Sequence, residues 1–331
     1  MPNKISATLA MSYYDHVGDL LNGQVQPEGI DLTALRLNAT EVFHRFIHYR
    51  EWEISEMSMA KYVSIISQGD SSLTAIPVFP SRMFRQSSIY VRPDGPRHPS
   101  ELAGARVGIP EWAQTATVYM RGFMVDQYGV ALDSIEWVQA GLTEPGRAEK
   151  VPLNLPPGVQ CRNVRDRTLQ ELLFDGEVDA LFSAQPPSAY VAGDPNIKRM
   201  FDAPVPVEQE YYSLTGVYPI MHVIAMRRDF VDAHPWAPMN MLQAFEESKR
   251  RCVERLLNTG ASRTPVPWAQ YSMLESQQLL GWDKEFWPYG VEPNRVTLET
   301  FLRWCAEQGV TTRKVELEEL FPPQLATRVK I

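Results

Sequence analysis

TGVYPIMHVIAMRRDF, residues 215–230, holds one short strand pattern at 221–226, and it is the last in the chain. Beyond it the apolar periodicity is helical, over 235–258, 268–280 and 297–308. Before it come two rounds of strand–helix alternation. The first has strands at 5–11, 30–37, 52–57, 73–79 and 87–92. Asp15 can cap a helix that ends at Gly23. Thr40 can cap one with Val42, Phe43, Phe46 and Ile47 on one face, and a third begins near Ser58. The second round follows the turn-rich RPDGPRHPS (92–100). It has strands at 106–109, 135–138 and 178–182, helices at 113–128 and 168–175, and a Pro/Gly-rich excursion at 141–158.

This order predicts an α/β fold of two doubly wound, mainly parallel lobes. The helices that close the chain bring no new sheet, so they are expected to pack back on the first lobe. The chain then crosses between lobes near 85–95 and again near 205–225. Two crossings make a hinge with a ligand cleft beside it. The expected division is 1–90 plus 222–331 for the first lobe and 91–221 for the second.

Composition agrees with a folded, two-domain chain. At 331 residues it is long enough to bury a large core without disulfide or metal staples. The 26 prolines are scattered, which reads as many tight connections rather than a Pro-rich tract. A net charge of -8 with no basic run lacks the footprint of a nucleic-acid binder. An anionic ligand must therefore be held by a few local cations. Cys161, Cys252 and Cys305 are too few and too scattered for a disulfide framework or a zinc pattern. No stretch approaches a membrane span, and the N-terminus lacks the features of a secretory signal, so a cytoplasmic location is expected.

Several residues have the chemistry of an anion site. Arg82 and Arg85 lie in the first crossing, and a guanidinium fork pairs a carboxylate through two parallel hydrogen bonds. Their blander reading is an inter-lobe salt bridge. PEWAQTAT (110–117) leaves a strand and opens a helix, whose free N–H groups favour anions, with Thr115 and Thr117 adding hydroxyls. Ser58, after Glu56, opens a helix in the first lobe as the counterpart. Ordinary capping explains these equally well.

For proton transfer the candidates are His222, on the second crossing, His16, at the start of a helix, and Glu111. Beside Trp112, Glu111 is expected to have a raised pKa and to serve as an acid; the alternative is a solvated carboxylate at a helix start. A lone histidine is more often a hydrogen-bonded core residue. His44 and His48 have two-histidine metal spacing, but no third ligand is evident and a solvated helix face explains them. Trp282, Phe286, Trp287 and Tyr289 read mainly as packing.

Several segments resemble the 4,5-dihydroxyphthalate decarboxylases. They are AIPVFPSRMFRQSSIYV (75–91), ELAGARVGIPEWAQTATVYMRG (101–122), GEVDALF (176–182) and residues 215–230. EGIDL (28–32), SEMSM (55–59), WPYG (287–290) and the following NR (294–295) extend the likeness in register along nearly the whole chain. The resemblance implies a fold similar to type II periplasmic binding proteins. It also implies loss of CO₂ from a dihydroxylated aromatic dicarboxylate. Such a reaction needs carboxylate clamps, a base for the phenol and an acid for the ring carbon. It needs no organic cofactor by this logic, and no metal-ligand spacing is visible. The expected partner is a small aromatic carboxylate, with no nucleic acid or membrane; a homo-oligomer is compatible. One rival is a solute-binding or sensor protein of the same fold, against which the absent signal speaks. Another is a different lyase on that fold, such as a menaquinone-pathway enzyme. Thiamin-pyrimidine synthases share the architecture but carry a clustered-Cys motif that this chain lacks.

Overall fold

The computed structural model describes residues 4–258, 260, 261, 263–282 and 285–326. Its strands are β1 Ile5–Met11, β2 Ile30–Arg36, β3 Ile54–Ser58, β4 Leu73–Ile76, β5 Ile89–Val91, β6 Arg106–Ile109, β7 Glu136–Gly141, β8 Gln160–Thr168, β9 Ala180–Phe182, β10 Lys198–Arg199 and β11 His222–Arg227. The helices are α1 Gly18–Leu21, α2 Ala39–Tyr49, α3 Met59–Ser67, α4 Thr115–Tyr128, α5 Leu169–Phe174, α6 Ser188–Val191, α7 Pro204–Thr215, α8 Arg228–Ala233, α9 Ala237–Leu256, α10 Ala269–Leu279, α11 Arg295–Glu307 and α12 Pro323–Ala326.

Two sheets form, in the orders β2-β1-β3-β11-β4 and β10-β5-β9-β6-β7-β8. The expected α/β class and pair of doubly wound units hold. The sheets are mixed rather than mainly parallel, because each crossing changes strand direction. β11 returns antiparallel to both β3 and β4, and β5 enters antiparallel to β9. β5 therefore lies in the second sheet, so the chain changes sheet before residue 90 and not after it. From His222 onward β11 belongs to the first sheet.

The two crossings run side by side. Arg82 bridges Ile220 antiparallel, Met83 N–H donates to the Pro219 carbonyl (3.1 Å) and Met221 N–H donates to the Ser81 carbonyl (2.8 Å). The last helices do more than return to the first lobe. α9 packs on α1 and on the turn at 15–17, while α11 packs on both α3 and α4 and so ties the lobes together. Among the described residues no helix is long and apolar enough to cross a membrane.

Local signals explain most elements. β3 is buried at all five residues, as a central strand covered on both faces must be. Thr168 opens α5 with a full capping box. For α2 the cap is Asn38, whose side chain accepts from the Thr40 amide; Thr40 sits inside the helix. Asp15 lies within a 3-10 turn and caps nothing through its side chain. The sequence reading missed β8 and α7. β8 reads QCRNVRDRT and lies at a sheet edge, largely open to solvent, so it lacks an apolar stripe.

Close approach of α4 and α11 depends on Gly122. A Cβ there would lie 2.2 Å from the Trp304 ring, far inside van der Waals contact. Gly122→Ala is therefore expected to destabilise the fold by about 1–3 kcal/mol through overpacking. Pairing it with Trp304→Leu should return part of that loss, read from urea midpoints.

Candidate active site

The site grows from Glu56. β3 places Glu56 and Ser58 two residues apart, hence on one face, and Ser58 is in register with His222 of β11. Glu56 has no exposed surface. Its Oε2 accepts the Ser12 N–H at 2.7 Å, and its Oε1 accepts the Tyr14 hydroxyl at 2.5 Å. The same Oε1 lies 2.6 Å from His222 Nδ1. Burial alone would raise this carboxyl; His222, Tyr14 and Ser12 outweigh it and hold it below the usual carboxylate range. Tyr14, buried beside that anion, is pushed well above its usual range and remains a donor. Phe43 meets the His222 ring edge-on at 4.8 Å. With Nδ1 engaged, Nε2 is the remaining position, and the side chain keeps 19 % exposure.

Both arginines of the first crossing turn inward. Arg82 donates to the Tyr218 carbonyl (3.0 Å) and lies 4.5 Å over the Tyr218 ring. Arg85 contacts Met221 Sδ (3.2 Å) and the Ala184 carbonyl (3.2 Å). Among the described residues neither has a carboxylate within ion-pair distance, and burial lowers both to about 10. They are protonated cations at neutral pH with backbone and sulfur contacts in place of a counterion. Arg82 Nε, Ser12 Oγ, His16 Nε2 and Gln86 Nε2 are buried without hydrogen-bond partners. Groups in that state call for a ligand or water.

Across from β3, the openings of α3 and α4 meet. Ser58 Oγ and Thr115 Oγ1 are 2.9 Å apart, and Thr115 Oγ1 accepts the Ala60 N–H at 3.0 Å. Thr115 thus caps a helix of the other lobe. Thr117 is not available in this way: its hydroxyl is taken up by the Glu111, Trp112 and Gln114 carbonyls. Glu111 also departs from expectation. Burial raises its carboxyl, but Lys61 (3.0 Å), Lys150 (3.4 Å) and Arg147 (2.7 Å) bring it below the usual range. It is an ionised member of an inter-lobe network that also joins Lys61 to Glu149, and no proton donor.

His16 lies between Tyr14 (ring centroids 5.7 Å) and Trp287 (5.3 Å). Burial, then Lys249, lower it to about 4, which suits it poorly to acid–base work at neutral pH. Trp287 therefore borders the site, pinned by donation from its indole N–H to the Phe79 carbonyl at 2.8 Å. His44 and His48 stack at 4.7 Å, and among the described residues no three His, Cys, Asp or Glu side chains converge as a metal site. Glu56 and Tyr14 were the residues that sequence reasoning missed. A lone charged residue in the short strand pattern ISEMS was the available signal.

Lys61→Met should expose the role of the network. Removing the buried cation that Glu111 and half-buried Glu149 share, with Arg147 and Lys150 still on Glu111, is expected to cost up to about 3 kcal/mol at pH 7. Glu111 and Glu56 titrate below their unfolded value of 4.5, so their contribution is complete above that pH and fades as pH falls. The deficit of Lys61→Met should accordingly shrink as pH falls below 4.5 and the carboxyls take up protons. Urea midpoints at pH 7 and pH 3.5 test both statements.

No family model matches the chain. It is 36% identical over 331 residues to a 4,5-dihydroxyphthalate decarboxylase of Comamonas testosteroni, covering 99% of this chain and 100% of that protein. A 4,5-dihydroxyphthalate decarboxylase of Pseudomonas putida is 34% identical over 212 residues, covering 63% and 82%. Among solved structures, the periplasmic aliphatic sulphonate-binding protein SsuA of Escherichia coli matches with a TM-score of 0.56 at 13% identity, covering 99% and 97%. The desulfurization enzyme DSZB matches with a TM-score of 0.51 at 13% identity, covering 98% of each chain. These structural likenesses show a periplasmic-binding-protein-like fold. Sequence shows more: the chain belongs to the 4,5-dihydroxyphthalate decarboxylase family, a family of carboxy-lyases.

Proposed function

We propose that this carboxy-lyase converts 4,5-dihydroxyphthalate to 3,4-dihydroxybenzoate beside the two crossings, with His222 moving the proton. The observation that carries the reading is the Glu56–His222 pair beside a crossing whose two buried guanidinia have, among the described residues, no carboxylate within ion-pair distance. The substrate is a dianion with carboxylates on adjacent ring carbons. Arg82 and Arg85 would hold them, with Ser58 and Thr115 adding hydroxyl contacts. The names of the relatives support the substrate.

Direct departure of CO₂ would leave an aryl carbanion. Protonation of the carboxylate-bearing carbon avoids it. The hydroxyl para to that carbon releases its proton to solvent, and its electron pair flows through the ring. The ring carbon takes a proton from Nε2 of His222 in its imidazolium form, Nδ1–H on Glu56, and solvent then restores the proton to Nε2. The bond to CO₂ then breaks, its electron pair restores the aromatic ring and the phenolate, and the hydroxyl proton returns. The net change is loss of CO₂ and gain of one proton at carbon. Glu56 holds His222 by Nδ1 and fixes which nitrogen faces the substrate. The substrate's own phenol is the electron reservoir, so turnover is expected without added metal or organic cofactor. Loss of activity on chelation, restored by a divalent ion, would overturn that expectation. The described cysteines are free, in keeping with action in the cytoplasm.

The direct test is to incubate pure protein with 4,5-dihydroxyphthalate and follow 3,4-dihydroxybenzoate by chromatography. Tight binding without turnover would favour a solute-binding protein instead. His222→Asn is expected to lower turnover by at least about a hundredfold while the fold and substrate affinity persist. A lower melting temperature with unchanged turnover per folded molecule would mark a structural histidine. Arg82→Ala and Arg85→Ala should weaken dicarboxylate binding at least about tenfold, as loss of a charge-assisted hydrogen bond requires. If both variants bind like the parent, the clamp lies elsewhere.

A further inference from the structure

We infer that His16 reads a ring hydroxyl of the substrate, accepting its O–H on Nε2, and so selects hydroxylated aromatic acids over plain ones. The inference rests on the substrate reading above and adds a specificity residue to it. His16 sits in the turn that follows β1, in the same run of chain as Ser12 and Tyr14. Its ring is flanked by two aromatic residues that are themselves fixed. Tyr14 is held by Glu56, and Trp287 by the Phe79 carbonyl. The imidazole is therefore held in place, yet its Nε2 is buried and has no partner among the described residues. Native proteins rarely leave such an atom unsatisfied where no ligand or water is to come.

The chemistry of that nitrogen is that of an acceptor. Burial and the Lys249 charge lower the imidazole to about 4, so at neutral pH it has one N–H and one lone pair. The backbone of Pro80 acts on the ring as a hydrogen-bond acceptor would and favours an N–H on that side. Since Nε2 is the partnerless atom, the N–H is assigned to Nδ1 and the lone pair to Nε2. A carboxylate oxygen would be repelled there, whereas a phenolic O–H is matched. Arg82 covers Tyr218, whose ring is 5.7 Å from that of Trp287, the ring that also flanks His16. One run of aromatic rings thus joins an acceptor to a cation, the two features a hydroxylated aromatic acid calls for.

The test compares affinities for 3,4-dihydroxybenzoate and benzoate, which differ only in ring hydroxyls, by calorimetry on the parent, His16→Phe and His16→Gln. Phenylalanine keeps the aromatic packing and removes the acceptor; glutamine can restore one. The parent is expected to prefer the hydroxylated acid, and His16→Phe to lose about tenfold of that preference with benzoate affinity unchanged. His16→Gln should recover part of it. An unchanged ratio in His16→Phe, with 4,5-dihydroxyphthalate still turned over, overturns the inference alone and leaves water as the partner of Nε2. Equal loss for both acids marks a packing role and overturns it too. No turnover of 4,5-dihydroxyphthalate by the parent overturns the substrate reading, and this inference with it.

Discussion

Glu56 is an ionised carboxylate with no exposed surface, and the low local dielectric makes an unmatched charge there costly. Three groups match it: the Ser12 N–H and Tyr14 hydroxyl from the chain after β1, and His222 from the start of β11. They come from two different parts of the first sheet. The sheet order delivers them, because β3 is flanked by β1 on one side and β11 on the other. Solvating that carboxylate and assembling the site are therefore the same structural event. Moving β11 out of the first sheet would remove His222 and strand Glu56 together.

The second lobe is joined to this centre by polar contacts of unusual depth. Lys61, almost fully buried on α3, reaches Glu111 and Glu149 of the other lobe. Thr115 caps α3 from α4, and Trp304 of α11 packs into the notch at Gly122. Close by, Arg82 and Arg85 lie in the crossing with no carboxylate within ion-pair distance among the described residues, and only Glu208 acts on Arg85 from farther off. The contrast is informative. Charges in the inter-lobe network are paired directly within the protein, while those at the crossing are not. A dianionic ligand would supply the missing balance, so the same desolvation that makes these cations costly when empty favours their binding to carboxylates.

A cleft with cations is enough to hold an anion. A lyase needs in addition a proton that can move at a set position. The Glu56–His222 pair is the feature of this chain that goes beyond a clamp. His16, by contrast, is a neutral imidazole better suited to accepting a hydrogen bond than to exchanging a proton. Two histidines are thus held in different surroundings, one bonded to a buried carboxylate and one among aromatic rings.

Much was legible in the chain itself. Hydrophobic periodicity located most strands and most of the long helices, Thr168 marked the start of α5, and the strand at residue 222 implied the two-crossing plan. Family likeness supplied the class of chemistry, and residue type singled out Arg82, Arg85 and His222. What the tertiary structure decided were the relations through space. Glu56 meets Ser12 across 44 residues and His222 across 166, and no local pattern encodes such a pairing. Glu111 looked like a proton donor beside a tryptophan, until Lys61, Arg147 and Lys150 surrounded it with positive charge. β5 changed sheet, and edge strand β8 escaped notice, because periodicity reports which face of a strand is buried and not which neighbour it joins. Local propensity and patterning act over a few residues, whereas burial and charge compensation depend on every segment that arrives at the same place.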